Sequence, residues 1–571
     1  MRSHALRVFL AFSSCFGASE SSSSSPPGYW GPRPKPSPPG PPSVHLSDGT
    51  YVGVRSEQYG QDFFLGIPYA QPPIGPLRFA APQPLNETFE GTRSASEYGW
   101  MCIGYGSDTA NLGNPVSEDC LTINVVRPAG SQPGDDLPVG VWVHGGSYVN
   151  GGSRDPRYNL SYIVDQSVKE GKPIVAASIN YRLSYWGFLF SNELQDAGAG
   201  NIGLRDQRLA LEWVQQNIGA FGGGADKVTI WGESAGARSL GMQLVAYDGQ
   251  YNNLFRGAIL ESGSPIAKFA DADDWQPWFN ALVEKTGCAD AADKLSCLRG
   301  LPWQTISAIY NGTNPLSVTP PSISAVIDGD FITAQGSVLL GAGKFAHVPL
   351  LLGNNFDEGT AYAKQGINTT EQFQAWLTTL QLDSEQVAAV SALYPDDPDV
   401  GIPVSQVGRP AAYPFGLQWK RAAAFAGDYQ QHSGRRLLAS TYAAAGLPVY
   451  SYRWNVYVNG IAAIYGATHF QEVAFVFNNV DGIGYATSPF AGKPETFVAL
   501  ADVMSRRWAA FIHDTNPNIC NGPPTGPAWP LYTLDEPYNI VFDVNRTGLA
   551  YIEEDTYRAT EIEYLLENVF V

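Results

Sequence analysis

A serine set between a strand and a helix, with glycine two residues to either side, constrains this chain more than any other feature. Residues 221–236 read F-G-G-G-A-D-K-V-T-I-W-G-E-S-A-G. Val228, Ile230 and their neighbours form a short β-branched and apolar run, which suits a strand buried on both faces of a parallel sheet. Residues 237–245 have helical composition. A strand that turns straight into a helix leaves no room for side chains beside the turn. Gly232 and Gly236 therefore let the backbone pass close and push Ser234 outward, as in a nucleophile elbow. Its hydroxyl then stands at a helix N-terminus, among unpaired N–H groups and a positive partial charge. Glycine is abundant here, 60 of 571 residues, so a bare G-x-S-x-G is a weak signal. The strand before it and the helix after it give it weight.

A serine hydroxyl is a poor nucleophile until a base takes its proton, and the base needs an orienting carboxylate. With an elbow serine the chain order is serine, acid, histidine. Three histidines follow the acidic pair Asp357-Glu358: His432, His469 and His513. His432, in D-Y-Q-Q-H-S-G-R-R, reads as part of a solvated polar helix face. His513 ends a helical run over 498–512, where an imidazolium meets the helix dipole favourably. His469 follows a strand-like run over 448–458 and sits in Y-G-A-T-H-F, a loop before a helix, so elimination selects it. For the acid, 348–353 (V-P-L-L-L-G) reads as a buried strand ending in N-N-F-D-E-G. Position alone leaves both Asp357 and Glu358 open. The run 137–144 (L-P-V-G-V-W-V-H) is a further buried strand, and it breaks at Gly145-Gly146-Ser147-Tyr148. A glycine loop at a strand's C-terminal end is where an open α/β sheet places its ligand crevice and can aim backbone N–H groups at an oxyanion.

Charge narrows the classes of partner. With 54 acidic and 35 basic side chains the net charge is -19, which argues against binding nucleic acid. The sequence has no zinc-type Cys/His cluster, no phosphate loop and no run long enough to span a bilayer, so no metal, cofactor or membrane anchor is expected. Residues 1–18 read as a signal peptide, with Arg2 and Arg7 ahead of a short apolar run, and 19–43 as a Ser/Pro-rich spacer. Five glycosylation sequons, at Asn86, Asn159, Asn311, Asn368 and Asn545, also favour secretion. Once Cys15 leaves with the leader, two short-range disulfides, Cys102–Cys120 and Cys288–Cys297, are the economical pairing, and Cys520 stays unassigned.

Two further stretches are too long to match by accident: F-L-G-I-P-Y-A-Q-P-P-I-G-P-L-R-F over 64–79 and S-E-D-C-L-T-I-N-V over 117–125. Together with the Gly-Gly loop, the elbow and Asp357-Glu358-Gly359, they make the chain resemble the type-B carboxylesterase/lipase family, which includes cholinesterases and secreted fungal lipases. The resemblance runs from about Val44 to the C-terminus. It implies one α/β-hydrolase domain over 44–571, with a mixed, mostly parallel sheet and helices on both faces. It selects Glu358 as the acid, agrees on His469, and makes the amides of Gly146, Ser147 and Ala235 the oxyanion donors. It also implies buried ion pairs Arg78–Glu118 and Arg182–Asp206. The Cys288–Cys297 spacing and the closing run 551–566, with E-D-T-Y-R, look like the secreted fungal members.

The activity this implies is a secreted serine carboxylic-ester hydrolase acting through an acyl-enzyme on small to medium esters. A true lipase or sterol esterase is the alternative, and a non-catalytic cholinesterase-like binding protein a remote one. Serine in third place of the glycine loop adds a side chain that crowds the acyl group. Residues 103–119 are short, polar and glycine-rich and lack the amphipathic helix of a lipid-facing lid. The aromatic segment 269–279 is a second place where a cover could form.

Overall fold

Strands that are apolar at every position need cover on both faces, and this requirement organises the molecule. In the computed structural model, which describes residues 40–108, 113–518 and 526–571, an 11-stranded sheet runs through the centre. From one edge its order is Ala550–Glu554, Tyr538–Phe542, Val449–Trp454, Leu350–Asn355, Gly257–Glu261, Gly223–Glu233, Leu137–Val143, Val175–Ile179, Thr122–Pro128, Gln61–Pro68 and Val54–Ser56. Pairing is parallel from Tyr538–Phe542 through to Val175–Ile179 and antiparallel toward both edges. A small hairpin, Ser43–Leu46 with Gly49–Val52, turns at Ser47-Asp48. The expected leader, most of the spacer and Cys520 lie outside the described residues.

Alternation along the central strands divides the core in two. Val139, Val141, Val228, Ile230, Leu260, Leu350 and Leu352 point to one face, where the helices Ile202–Asn217, Ala235–Gly249 and Trp419–Gly427 pack. Trp142, Trp231, Ile259 and Leu351 point to the other, against the helices Leu160–Glu170 and Glu495–Asp514. A third cluster gathers the helix Ala272–Lys285 around Trp275, Trp278 and Phe279. Both short-range disulfides are formed, Cys102–Cys120 with Cα atoms 5.0 Å apart and Cys288–Cys297 at 5.7 Å.

Both ion pairs are present. Arg78 grips Glu118 through Nε (2.6 Å) and Nη2 (2.8 Å), and its Nη1 donates to the carbonyl of Leu301 at 2.7 Å. Arg182 is bidentate on Asp206 at 2.6 and 2.8 Å. One expectation fails. His432 is not solvated but 1 % exposed, inside a π-helical turn over Asp428–His432. The polar residues around it in sequence are consumed in buried ion pairs instead: Asp428 with Arg558, and Arg435 and Arg436 with Asp555.

Candidate active site

The strand Gly223–Glu233 hands over to the helix Ala235–Gly249 through a single residue, Ser234, at φ 55° and ψ -123°. An L-residue rarely holds that conformation, and such strain concentrates at functional sites. The glycines explain how it is reached. A Cβ on Gly236 would lie 2.0 Å from the carbonyl oxygen of Val143, and one on Gly232 would lie 2.7 Å from the same atom. The Ser234 N–H donates to the carbonyl of Glu261 at 2.9 Å, which pins the turn to the neighbouring strand.

Three strand ends converge on the serine. His469, in the loop after Val449–Trp454, places Nε2 2.8 Å from Ser234 Oγ and Nδ1 2.7 Å from Glu358 Oε2. Glu358 opens the 3₁₀ turn that follows Leu350–Asn355. Its other oxygen accepts the Ser262 hydroxyl and the Asn355 N–H, the latter at 2.8 Å. Three donors thus converge on one fully buried carboxylate, an arrangement suited to facing an imidazolium. Asp357 turns the other way. Its Oδ2 accepts the Ala467 N–H at 2.8 Å while its own N–H donates to the Ala467 carbonyl at 3.0 Å, so it clamps the histidine loop from behind. Burial pushes the Asp357 carboxyl up to about 6. His513 lies apart at the end of its helix, 2.6 Å from Asp514.

The glycine loop sits opposite. Gly146, Ser147 and Tyr148 all have positive φ, and a Cβ on Gly146 would lie 2.2 Å from the Asn150 carbonyl oxygen. The amides of Gly146, Ser147 and Ala235 donate to no protein acceptor among the described residues. Ser147 is exposed into a cavity of about 690 Å³ whose lining also includes Ser234, Ala235, Phe269, Tyr362 and Tyr429.

Sequence reasoning missed the carboxylates packed behind the histidine. Glu233 Oε1 lies 3.2 Å from His469 Nε2 but makes no hydrogen bond. Glu472 accepts from Asn355 Nδ2, and Glu261 accepts from the indoles of Trp231 and Trp508. Burial pushes all three up: Glu233, with Glu472, Glu358 and Glu261 beside it, and Glu261, with Glu472 beside it, go well above the usual carboxylate range, and Glu472, with Glu358 beside it, goes up to about 7. Glutamate directly before the serine was a visible signal for Glu233. Nothing local distinguished Glu472.

The carboxylesterase family model matches residues 41–561. The chain belongs to the carboxylesterase family. As in that family, it is a carboxylic-ester hydrolase built on the α/β-hydrolase fold. Among its relatives, lipase 2 of Diutina rugosa is 33 % identical over 92 % of this chain and 96 % of its own. Secreted lipase 1 of Botryotinia fuckeliana is 33 % identical over 89 % of each. The crystal structure of Aspergillus niger EstA superposes with a TM-score of 0.79 at 29 % identity, covering 93 % of this carboxylesterase and 99 % of EstA.

Proposed function

We propose that Ser234, His469 and Glu358 act as nucleophile, general base and orienting acid, with the amides of Gly146, Ser147 and Ala235 as the oxyanion hole. The observation that carries this reading is the continuous line from Ser234 Oγ through both ring nitrogens of His469 to Glu358, facing three unengaged amides. Ser234 Oγ attacks the ester carbonyl carbon as its proton passes to His469 Nε2. The carbonyl oxygen becomes an oxyanion held by the amides. Collapse breaks the bond to the alcohol, which leaves with the proton from Nε2, and a serine acyl ester remains. Water repeats the sequence in reverse and releases the acid.

The substrates we assign are small to medium soluble esters rather than emulsified lipid. The Cys102–Cys120 loop is tied to the glycine loop: the Asp108 N–H donates to Asn150 Oδ1 at 3.2 Å, Arg157 pairs with Asp108 at 3.0 Å, and the Tyr105 N–H donates to the Val149 carbonyl at 2.6 Å. No described residue of that loop lines the cavity. The segment 269–279 does contribute, through Phe269, Ala270 and Asp274. Its Trp275, Trp278 and Phe279 are committed to the core, so this helix has no spare apolar face to offer an interface.

Secretion is part of the proposal. It is supported by the secreted fungal relatives, the leader-like N-terminus and two disulfides. Asn86, Asn311 and Asn545 are exposed and suited to carry glycans, whereas Asn159 and Asn368 are half-buried. A single domain over 44–571 remains the organisation we assign.

The test is hydrolysis of a sparingly soluble ester taken through its solubility limit, with Ser234→Ala as control. A smooth hyperbola with an inactive alanine variant is expected. A jump in rate where the emulsion forms makes this a lipase. An alanine variant keeping a hundredth of wild-type kcat removes Ser234 from the mechanism.

A further inference from the structure

Arginines in this acidic protein usually lie against carboxylates; Arg78, Arg182, Arg205, Arg435 and Arg558 all do. The cavity over Ser234 breaks that habit, since Arg238 and Lys268 both line it. Arg238 Nη2 donates only to the carbonyl and side-chain oxygens of Gln430, at 2.8 and 2.7 Å. Lys268 Nζ donates to the Gln381 carbonyl at 3.0 Å. Neither forms an ion pair among the described residues. Two acids are near. Asp274, in the same lining, is occupied capping its helix by accepting the Asp271 N–H. Asp383 acts on Lys268 only through space and caps another helix. Burial pushes the Lys268 ammonium down, so its charge is held there at a cost.

Arg238 sits one helical turn beyond the nucleophile, with its N–H donating to the Ser234 carbonyl at 2.8 Å. Four residues of helix rise about 6 Å, and Ser234 and Arg238 line the same cavity. We propose that this cavity selects esters that carry a carboxylate on the acyl or the alcohol part, recognised by Arg238 and Lys268. The proposal rests on Ser234 being the nucleophile. A guanidinium with unused N–H groups suits a carboxylate's geometry, and the lysine supplies a second point charge in the same lining. A purely apolar acyl chain would leave both cations desolvated and unpaired.

Two matched pairs test it: monoethyl against diethyl adipate for the acyl side, and 4-acetoxybenzoate against its methyl ester for the alcohol side. Each kcat/KM is normalised to the ester's alkaline hydrolysis. In at least one pair the anionic member should be favoured about tenfold, the size of one charge-assisted hydrogen bond, and added NaCl should shrink that ratio. The ratio should collapse in Arg238→Gln or Lys268→Gln and survive in Arg238→Lys. Because the ratio is taken within each variant, a general loss of rate does not mimic the result. Preference for the neutral member in both pairs, or a ratio unmoved by both glutamine substitutions, overturns the proposal. If Ser234→Ala is inactive and these ratios are flat, only the anion preference fails; an active Ser234→Ala removes the reading beneath it.

Discussion

His469 and His432 lie in the same half of the chain, and both are enclosed by charged side chains of opposite kind. Around His469 stand Glu358, Glu233 and Glu472, with one ring nitrogen on a carboxylate and the other on a serine hydroxyl. Around His432 stand Arg435, Arg436, Arg453 and Arg558, and neither ring nitrogen finds a hydrogen-bond partner among the described residues. The ring of Tyr557 covers it edge-on, with centroids 5.6 Å apart. In our proposal the same side chain is a base in one place, while in the other it is a neutral packing unit. A carboxylate stabilises the imidazolium that the proposed proton transfer from serine forms, whereas burial first, and the surrounding guanidinium groups second, disfavour one at His432.

The sharpest way to break this contrast is to delete each ring. His469→Ala should lower kcat by about 10⁴- to 10⁶-fold, close to the loss in Ser234→Ala, because the members act as a unit. His432→Ala should leave kcat per folded molecule near wild type. The damage there should appear in stability: about 2–4 kcal/mol for the cavity, measured by urea unfolding. His432→Leu should recover most of it, since no hydrogen bond is lost. A large fall in kcat for His432→Leu would make the arginine-lined histidine part of the mechanism and erase the distinction.

The acids sharpen it next. Glu358→Gln should cost about 10⁴-fold in kcat, since an amide cannot hold the imidazole in the required tautomer. Asp357→Asn keeps an oxygen for the Ala467 N–H and should cost less than about tenfold. Reversal of that order in steady-state kinetics would exchange the two roles.

The differences also mark what the sequence could convey. The elbow was legible because it is local: two glycines and a serine between a strand pattern and a helix pattern dictate one backbone path. Both disulfides were legible from short spacing. Asp357 and Glu358 were not separable from position, because their divergence depends on a 3₁₀ turn and on Ala467, more than a hundred residues away. Ser262 and Asn355, which brace Glu358, look like ordinary polar residues at strand ends. His432 was misread because its neighbours Asp428, Arg435 and Arg436 look like a wet surface. Their partners, Arg558 and Asp555, lie at the far end of the chain. Local polarity reports solvent only when the charges are not answered from elsewhere.

The smallest expected effect tests whether the two environments pull stability in opposite directions with pH. Glu472 is raised to about 7 by burial and by Glu358, against an ordinary value of 4.5. The folded state therefore holds its proton more tightly than the unfolded chain between those values. Its contribution is fully present below pH 4.5 and is lost as pH rises through about 7. His432 is pushed well below 6.5, by burial first and the arginines second. Below pH 6.5 the unfolded chain takes the proton that the fold refuses, so this contribution is present above 6.5 and is lost as pH falls. Total stability mixes both with every other titration, so the measurement is a difference. Unfolding free energies of wild type, Glu472→Gln and His432→Leu are compared between pH 5 and pH 8. Glu472→Gln should gain on wild type as pH rises, by no more than about 3 kcal/mol, the worth of a shift of this size. His432→Leu should gain on wild type as pH falls. Two differences that are flat, or that slope the same way, would mean that the acids behind one histidine and the arginines around the other do not set their surroundings as described.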